Sequence, residues 1–151
     1  MAGSFSKIKH SPAQLFALVF GVVYALTGVL GFVVQGFGRS LLLPKETLII
    51  FGVNPLHNGL HLAVGLVWIA VSGSLVWSKA TNVVFGIVFA ALAVAGFMNL
   101  LGFLGISGPS DPDNILHLAT AAMALFFGTV GAKTRSATRV SAGSTRTAGA
   151  H

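Results

Sequence analysis

The chain contains no cysteine and very little charge. Its 151 residues carry nine Lys and Arg against three Asp and Glu, and charged residues make up 8%. Without Cys, disulfides, thiolate metal ligands and thiol nucleophiles are all excluded. A soluble domain holds roughly 25% charged residues, so this chain cannot coat a water-exposed globule, and lipid must cover much of its surface. Also missing are a Ser-His-Asp order, a phosphate loop and a zincin motif, so no enzyme chemistry is expected. The length suits one compact domain.

What remains is apolar. Hydrophobic residues make up 54% of the chain, gathered into four stretches at about 13–34, 55–77, 83–104 and 112–132. Each approaches the ~20 residues that a helix needs to cross hydrocarbon. None contains Lys, Arg or Glu, and the one acid among them is Asp113. No strand-like alternation suggests a barrel. The expected fold is an all-α membrane protein with four transmembrane helices, forming a domain over 11–132. The first run is too long for a signal core and no Ala-x-Ala site follows. "SPAQ" at 11–14 instead opens a helix, with Ser11 as N-cap, Pro12 as first helical residue and Gln14 completing a capping box.

The formal net charge of +6 could suggest nucleic acid, but no basic face with interleaved aromatics is present, and nucleic acid is not an expected partner. The lipid bilayer is. Lys7, Lys9, Lys79, Lys133, Arg135, Arg139 and Arg146 fall on one side of the expected spans, and Arg39 and Lys45 on the other. The positive-inside rule then puts the N-terminal segment 1–10 and the tail 133–151 in the cytoplasm. The tail's Ser, Thr, Ala, Gly and Arg composition reads as disordered, with arginines able to touch anionic lipid. The 78–82 segment is the expected inner turn. The outer connection 35–54 holds "PKETLIIFG", where Pro44 and Gly52 would bracket a short helix.

One phrase occurs twice: "NGLHLA" at 58–63 and "NILHLA" at 114–119. "GVVYALTGVLGF" at 21–32 likewise aligns with "GIVFAALAVAGF" at 86–97. The chain thus reads as two tandem pseudo-symmetric helical hairpins, 11–77 and 83–132. Both have the same orientation, so a pseudo-two-fold axis runs along the membrane normal. Small-residue ladders, Ala17-Gly21-Ala25 and Thr120-Ala124-Gly128-Ala132, suit close helix approach. Tyr24 and Trp68 read as mid-span packing residues, and Trp77 as an interface anchor.

The repeat carries the polar groups. Asn54-Pro55 and Asp111-Pro112 look like matching helix starts. Asn54, His57, Asn58 and His61 share one helix face, and Asp113, Asn114 and His117 repeat the pattern. Asn99 lies near the outer end of the third span, and Gln35 ends the first. The cluster of Asn54, His57, Asn58, His61, Asn99, Asp113, Asn114 and His117 therefore sits in the outer third of the membrane. Ionisable groups there are functional suspects, but neutral His and Asn can also lock two hairpins together by hydrogen bonds. A sharper reading makes His57, His61, Asp113 and His117 a site for zinc or a similar divalent metal, with Asn58 and Asn114 orienting the rings. Haem between His61 and His117, or a proton or solute path, are lesser alternatives.

The motifs "NPLHNGLHLAVGL" and "DNILHLA", with "SPAQLFALVFGVVYALTGVLGF" before them, resemble an uncharacterised actinobacterial family of small four-span membrane proteins, a domain of unknown function. The resemblance covers about 11–132 and implies four helices in the bacterial plasma membrane, without implying an activity. The expectation is a non-enzymatic, multi-pass structural or accessory subunit without cofactor, its outward-facing His/Asn cluster locking the hairpins. It would work as a homo-oligomer or with a membrane-protein partner. The alternative is a metal-binding membrane protein.

Overall fold

The computed structural model describes residues 10–36, 40–42 and 46–130. Apart from Lys79, every basic residue used to orient the chain lies outside these, as does the 133–151 tail. The described chain is mostly helical: α1 (Pro12–Gln35), a hairpin of β1 (Glu46–Leu48) and β2 (Phe51–Val53), α2 (Pro55–Val71), α3 (Leu75–Phe97), a 3-10 turn at Gly102–Leu104, and α4 (Pro112–Gly128). By length and composition, α1 and α3 are apolar and long enough to cross a membrane, and α2 is a shorter apolar helix.

The helix starts follow from local chemistry. Ser11 Oγ accepts from the Gln14 backbone N–H at 3.2 Å while Gln14 Oε1 accepts from the Ser11 N–H at 3.0 Å. This capping box satisfies two of the donors that a helix N-terminus leaves without partners. Asn54 caps α2 and Asp111 caps α4, each followed by Pro at the first helical position, where no N–H is needed.

Two boundaries depart from the sequence expectation. The turn between the second and third helices is not 78–82 but the short Ser72-Gly73-Ser74 stretch, so the second helix stops at Val71 and the third begins at Leu75 rather than near Val83. Polarity misled there. Ser78, Lys79 and Asn82 are helical, Ser78 Oγ donates to the Val71 carbonyl at 2.9 Å, and the only breaker nearby is Gly73. The third helix also stops early, at Phe97. Asn99 takes a left-handed φ of 59°. The Leu100 N–H bonds the Ala95 carbonyl and the Asn99 N–H bonds that of Gly96, both at 2.9 Å. This is the Schellman stop, with Asn in glycine's usual place. The fourth helix ends at Gly128.

The connection between the first and second helices is a third departure. Where a short helix was expected, "ETLIIFGV" forms an antiparallel hairpin with Glu46 opposite Val53 and Leu48 opposite Phe51. Its β-branched and aromatic content favours the pleated form. The tip residue Ile49 sits at φ 62°, strained for a β-branched side chain, and is exposed.

The closest helix pairs are α1 with α2 and α3 with α4. Both pairs run antiparallel, and their contacts repeat. A Cβ at Gly21 would stand 2.8 Å from the Ile69 nitrogen, and one at Gly86 would stand 2.7 Å from Leu125 Cγ. A Cβ at Gly31 would overlap the Asn58 side-chain oxygen, and one at Gly96 that of Asn114. Each contact of the first pair thus has its counterpart in the second, at sequence offsets of about 65 and 56 read from the numbering. Phe16, Tyr24, Trp68 and Phe89 fill the core with Ala17, Ala121 and Ala124. Trp68 is fully buried, not lipid-facing. Outward positions such as Val22, Leu26, Leu30, Val84 and Ile87 are apolar and exposed.

The glycine contacts predict an asymmetry among substitutions. Gly31→Ala and Gly96→Ala should each lower stability by roughly 1–3 kcal/mol, the range for overpacking. Gly59→Ala, where nothing lies within 4 Å, should be neutral or gain up to about 1 kcal/mol of helix propensity. Thermal unfolding in detergent measures this, and equal midpoints for all three variants would contradict the register described.

Candidate metal centre

Asn54 begins the site. Its Oδ1 accepts from the His57 backbone N–H at 2.9 Å, and its Nδ2 donates to the Phe103 carbonyl at 2.6 Å. The second bond ties the start of α2 to the loop before α4. Gly52 of β2 and Gly105, which has φ 94°, approach backbone to backbone over the same end. The β hairpin and the loop before α4 thus meet over the polar residues, with Val53, Leu101, Leu104 and Ile106 buried there.

His57 lies one turn into α2. Its Nδ1 is 3.1 Å from the Gly52 carbonyl. A carbonyl only accepts, so Nδ1 carries the proton and Nε2 presents a lone pair. His61 follows one turn deeper, its ring centroid 4.3 Å from that of His57. His117 comes from α4, 6.3 Å from His57 by ring centroids. One nitrogen from each of the three rings lies within 4.8 Å of the others. All three side chains are buried. His57 Nε2, both nitrogens of His61 and His117 Nδ1 have no hydrogen-bond partner. The repeat extends to the ring walls: His61 packs on Tyr24 at 5.2 Å and His117 on Phe89 at 5.5 Å.

The other polar residues of the expected cluster take different roles. Asp113 is fully buried with both carboxylate oxygens unpartnered, but it does not join the group of converging ligand atoms. The expected four-ligand set is therefore three imidazoles with an acid nearby on the same helix. Under the repeat, Asp113 holds in α4 the position that His57 holds in α2, but a carboxylate reaches less far from the backbone than an imidazole. Asn58 and Asn114 do not orient the rings. Asn58 Nδ2 donates to Gln35 Oε1 at 2.7 Å, and Asn114 Nδ2 donates to the Gly108 carbonyl at 2.8 Å. Both face helix ends and loops, and the ring-orienting partner is the Gly52 carbonyl instead. Asn99 is exposed at its helix stop, outside the cluster.

Two tie points escaped the sequence. Tyr24 donates its hydroxyl to Thr120 Oγ1 at 2.9 Å, joining α1 to α4. At the opposite end, Trp68 Nε1 donates to Asn82 Oδ1 at 2.9 Å, and Asn82 Nδ2 donates to the Ala13 carbonyl at 3.1 Å, joining α2, α3 and α1. The signal for Asn82 was available: an Asn four residues after Ser78 on a chain with no Gly or Pro between Ser74 and Gly86 reads as helix, not turn.

Two clefts flank the imidazoles. One, of about 240 Å³, lies between α2 and α3 and reaches His57, His61 and His117. The other, of about 220 Å³, lies between α1 and α4 and reaches His61. They are mates under the repeat: Leu60, Val64, Phe85, Val88 and Phe89 of the first correspond to Leu116, Thr120, Phe20, Val23 and Tyr24 of the second.

The hydrogen-bond pattern separates the tie points from the rings. In metal-free protein, His61→Leu removes two unpartnered buried nitrogens and should leave the unfolding midpoint unchanged or higher. Asn82→Leu strands the Trp68 N–H and the Ala13 carbonyl and should cost roughly 1–3 kcal/mol. If the imidazoles held the helices together, His61→Leu would cost as much as Asn82→Leu.

No curated protein and no solved structure matches the chain. A family model described as a domain of unknown function (DUF4383) matches residues 14–130. The chain therefore belongs to this uncharacterised family.

Proposed function

We propose that the protein is a four-span protein of the plasma membrane that binds a divalent transition metal, zinc by best fit, on His57, His61 and His117. The observation that supports this most is the convergence of one nitrogen from each ring within 4.8 Å, with His57 Nε2, both His61 nitrogens and His117 Nδ1 lacking hydrogen-bond partners. A tetrahedral zinc with Zn–N bonds of roughly 2.0–2.1 Å sets its ligands about 3.4 Å apart, so the rings need draw in only slightly. The His57 tautomer fits as well. A metal-bound imidazole commonly donates its other N–H to a carbonyl, which fixes the ring, and Gly52 provides that carbonyl. Imidazole ligands without thiolate suit zinc and its neighbours in the first transition row.

Binding, rather than catalysis or conduction, is the better reading. An aromatic layer of Tyr24, Trp68 and Phe89 lies between the imidazoles and the Asn82 network, with no polar file through it to carry ions. A hydrogen-bonded lock is less well supported, because no ring nitrogen bonds an Asn side chain among the described residues. For the spans, α2 and α4 have 17 residues each, about 25 Å at 1.5 Å per residue, at the short end for a crossing. Their exposed residues Leu60, Leu66, Ile115 and Leu118 are apolar. The sequence excess of Lys and Arg in the segments expected on the 72–74 side supports a cytoplasmic position for both chain ends.

Protein purified in detergent should carry close to one zinc per chain by elemental analysis. His61→Ala and His117→Ala should each weaken zinc binding at least tenfold, and the double variant should abolish it. Because protons compete for the ring nitrogens, acidification should release the metal. Metal-free protein indifferent to added zinc would overturn the reading, and a Soret band would redirect it to haem. Topology has its own test, made clean by the absence of native Cys. A Cys placed at Ser110 should react with a membrane-impermeant maleimide in intact cells, and one at Gly73 only after lysis. Labelling of both positions in intact cells would contradict four spans.

A further inference from the structure

Resting on the metal reading, we infer that the position at the metal left open by the three imidazoles is taken by the carboxylate of a single-chain fatty acid, whose tail lies in the cleft between α2 and α3. That cleft has two kinds of wall. One end is formed by the three buried imidazoles, and every other side chain lining it is hydrocarbon. A ligand filling it must carry a small polar head that accepts a metal and a body that accepts nothing. Inorganic anions and sugars fail the second requirement.

The head should be anionic. Three neutral imidazoles leave the full charge of a divalent ion in a buried place. A carboxylate head offsets part of that charge, and an alcohol offsets none. Charge complementarity therefore selects a carboxylate over a neutral alcohol.

Direction and access agree. From His57 to Val64 the cleft follows α2 for about 10 Å at 1.5 Å per residue, running from the loop-covered end toward the aromatic layer. A lipid of the outer leaflet has this polarity, head near the rim and tail toward the midplane. The mouth is bordered by Leu60 and Val88, exposed at 45% and 47%. In a bilayer that opening faces acyl chains rather than water. The mate cleft is a poorer host. It reaches only His61, and it carries the Tyr24–Thr120 hydroxyl pair where the first has Phe89 and Val64.

The test uses full-length protein loaded with zinc, or with cobalt for its visible spectrum. Decanoate is compared with n-decanol, which lacks the carboxylate, and acetate, which lacks the chain. Decanoate should bind and change the cobalt spectrum, while n-decanol and acetate at equal concentration should not. Val88→Trp at the mouth should keep metal stoichiometry and weaken decanoate binding at least tenfold. Val23→Trp, its counterpart at the mate cleft, should leave decanoate binding unchanged. Metal binding with no response to decanoate would overturn the fatty-acid inference and leave the metal site standing. So would acetate acting as well as decanoate, or decanoate binding equally without metal. Failure to bind metal at all would overturn the underlying reading and this inference with it.

Discussion

The near contact of paired helix backbones governs the rest of this structure. Between helices in lipid no hydrophobic force operates, because acyl chains are as apolar as leucine; packing and occasional polar contacts must hold them. Gly21 and Gly28 let α1 reach the backbone of α2, and Gly86 lets α3 reach α4. Gly31 and Gly96 do something more specific. Each leaves room for one amide oxygen, of Asn58 and Asn114 respectively, that any side chain would displace. This fixes both the rotation and the depth of α2 and α4. The histidine three residues further along each helix is then turned inward at the same level, which is how His61 and His117 meet.

That meeting concentrates buried polarity without internal compensation. Among the other described residues, most buried polar side chains are bonded, Asn58 Oδ1 and Asn114 Oδ1 being exceptions. Asn82 bonds Trp68 and Ala13, and Tyr24 bonds Thr120. Around the imidazoles, ring nitrogens and both oxygens of Asp113 stay unpartnered. Leaving such groups unpaired in an apolar interior costs on the order of 1–3 kcal/mol each, more for a charged group. A metal ion, as proposed, would supply the missing partners together, and the loops that meet through Gly52 and Gly105 lie over the site.

Much of this was legible in the sequence, for physical reasons that differ by element. The capping box at Ser11 and the Asn-Pro and Asp-Pro starts are local, so reading them needs no tertiary information. The repeat was visible because His and Asn are rare in apolar runs, and its contacts reappear in both helix pairs. Residues 78–82 were misread because a helix end that packs Asn82 inside looks, by polarity alone, like a solvent-facing turn. Asn99 was misread for the converse reason: it is polar for its backbone conformation and not for a site. The "ETLIIFGV" hairpin was missed because a flanking Pro and Gly were given more weight than β-branched content. Which nitrogen of His57 is free depends on a carbonyl five residues away, and no spacing pattern reveals that.

The central claim is that two repeated hairpins bring three imidazoles onto one metal. X-ray absorption at the zinc edge of the loaded protein tests this most directly. The fit should require three imidazole ligands at roughly 2.0–2.1 Å, with one oxygen ligand completing a four-coordinate shell. A shell of six oxygens without imidazole scattering would mean that the rings do not hold the ion.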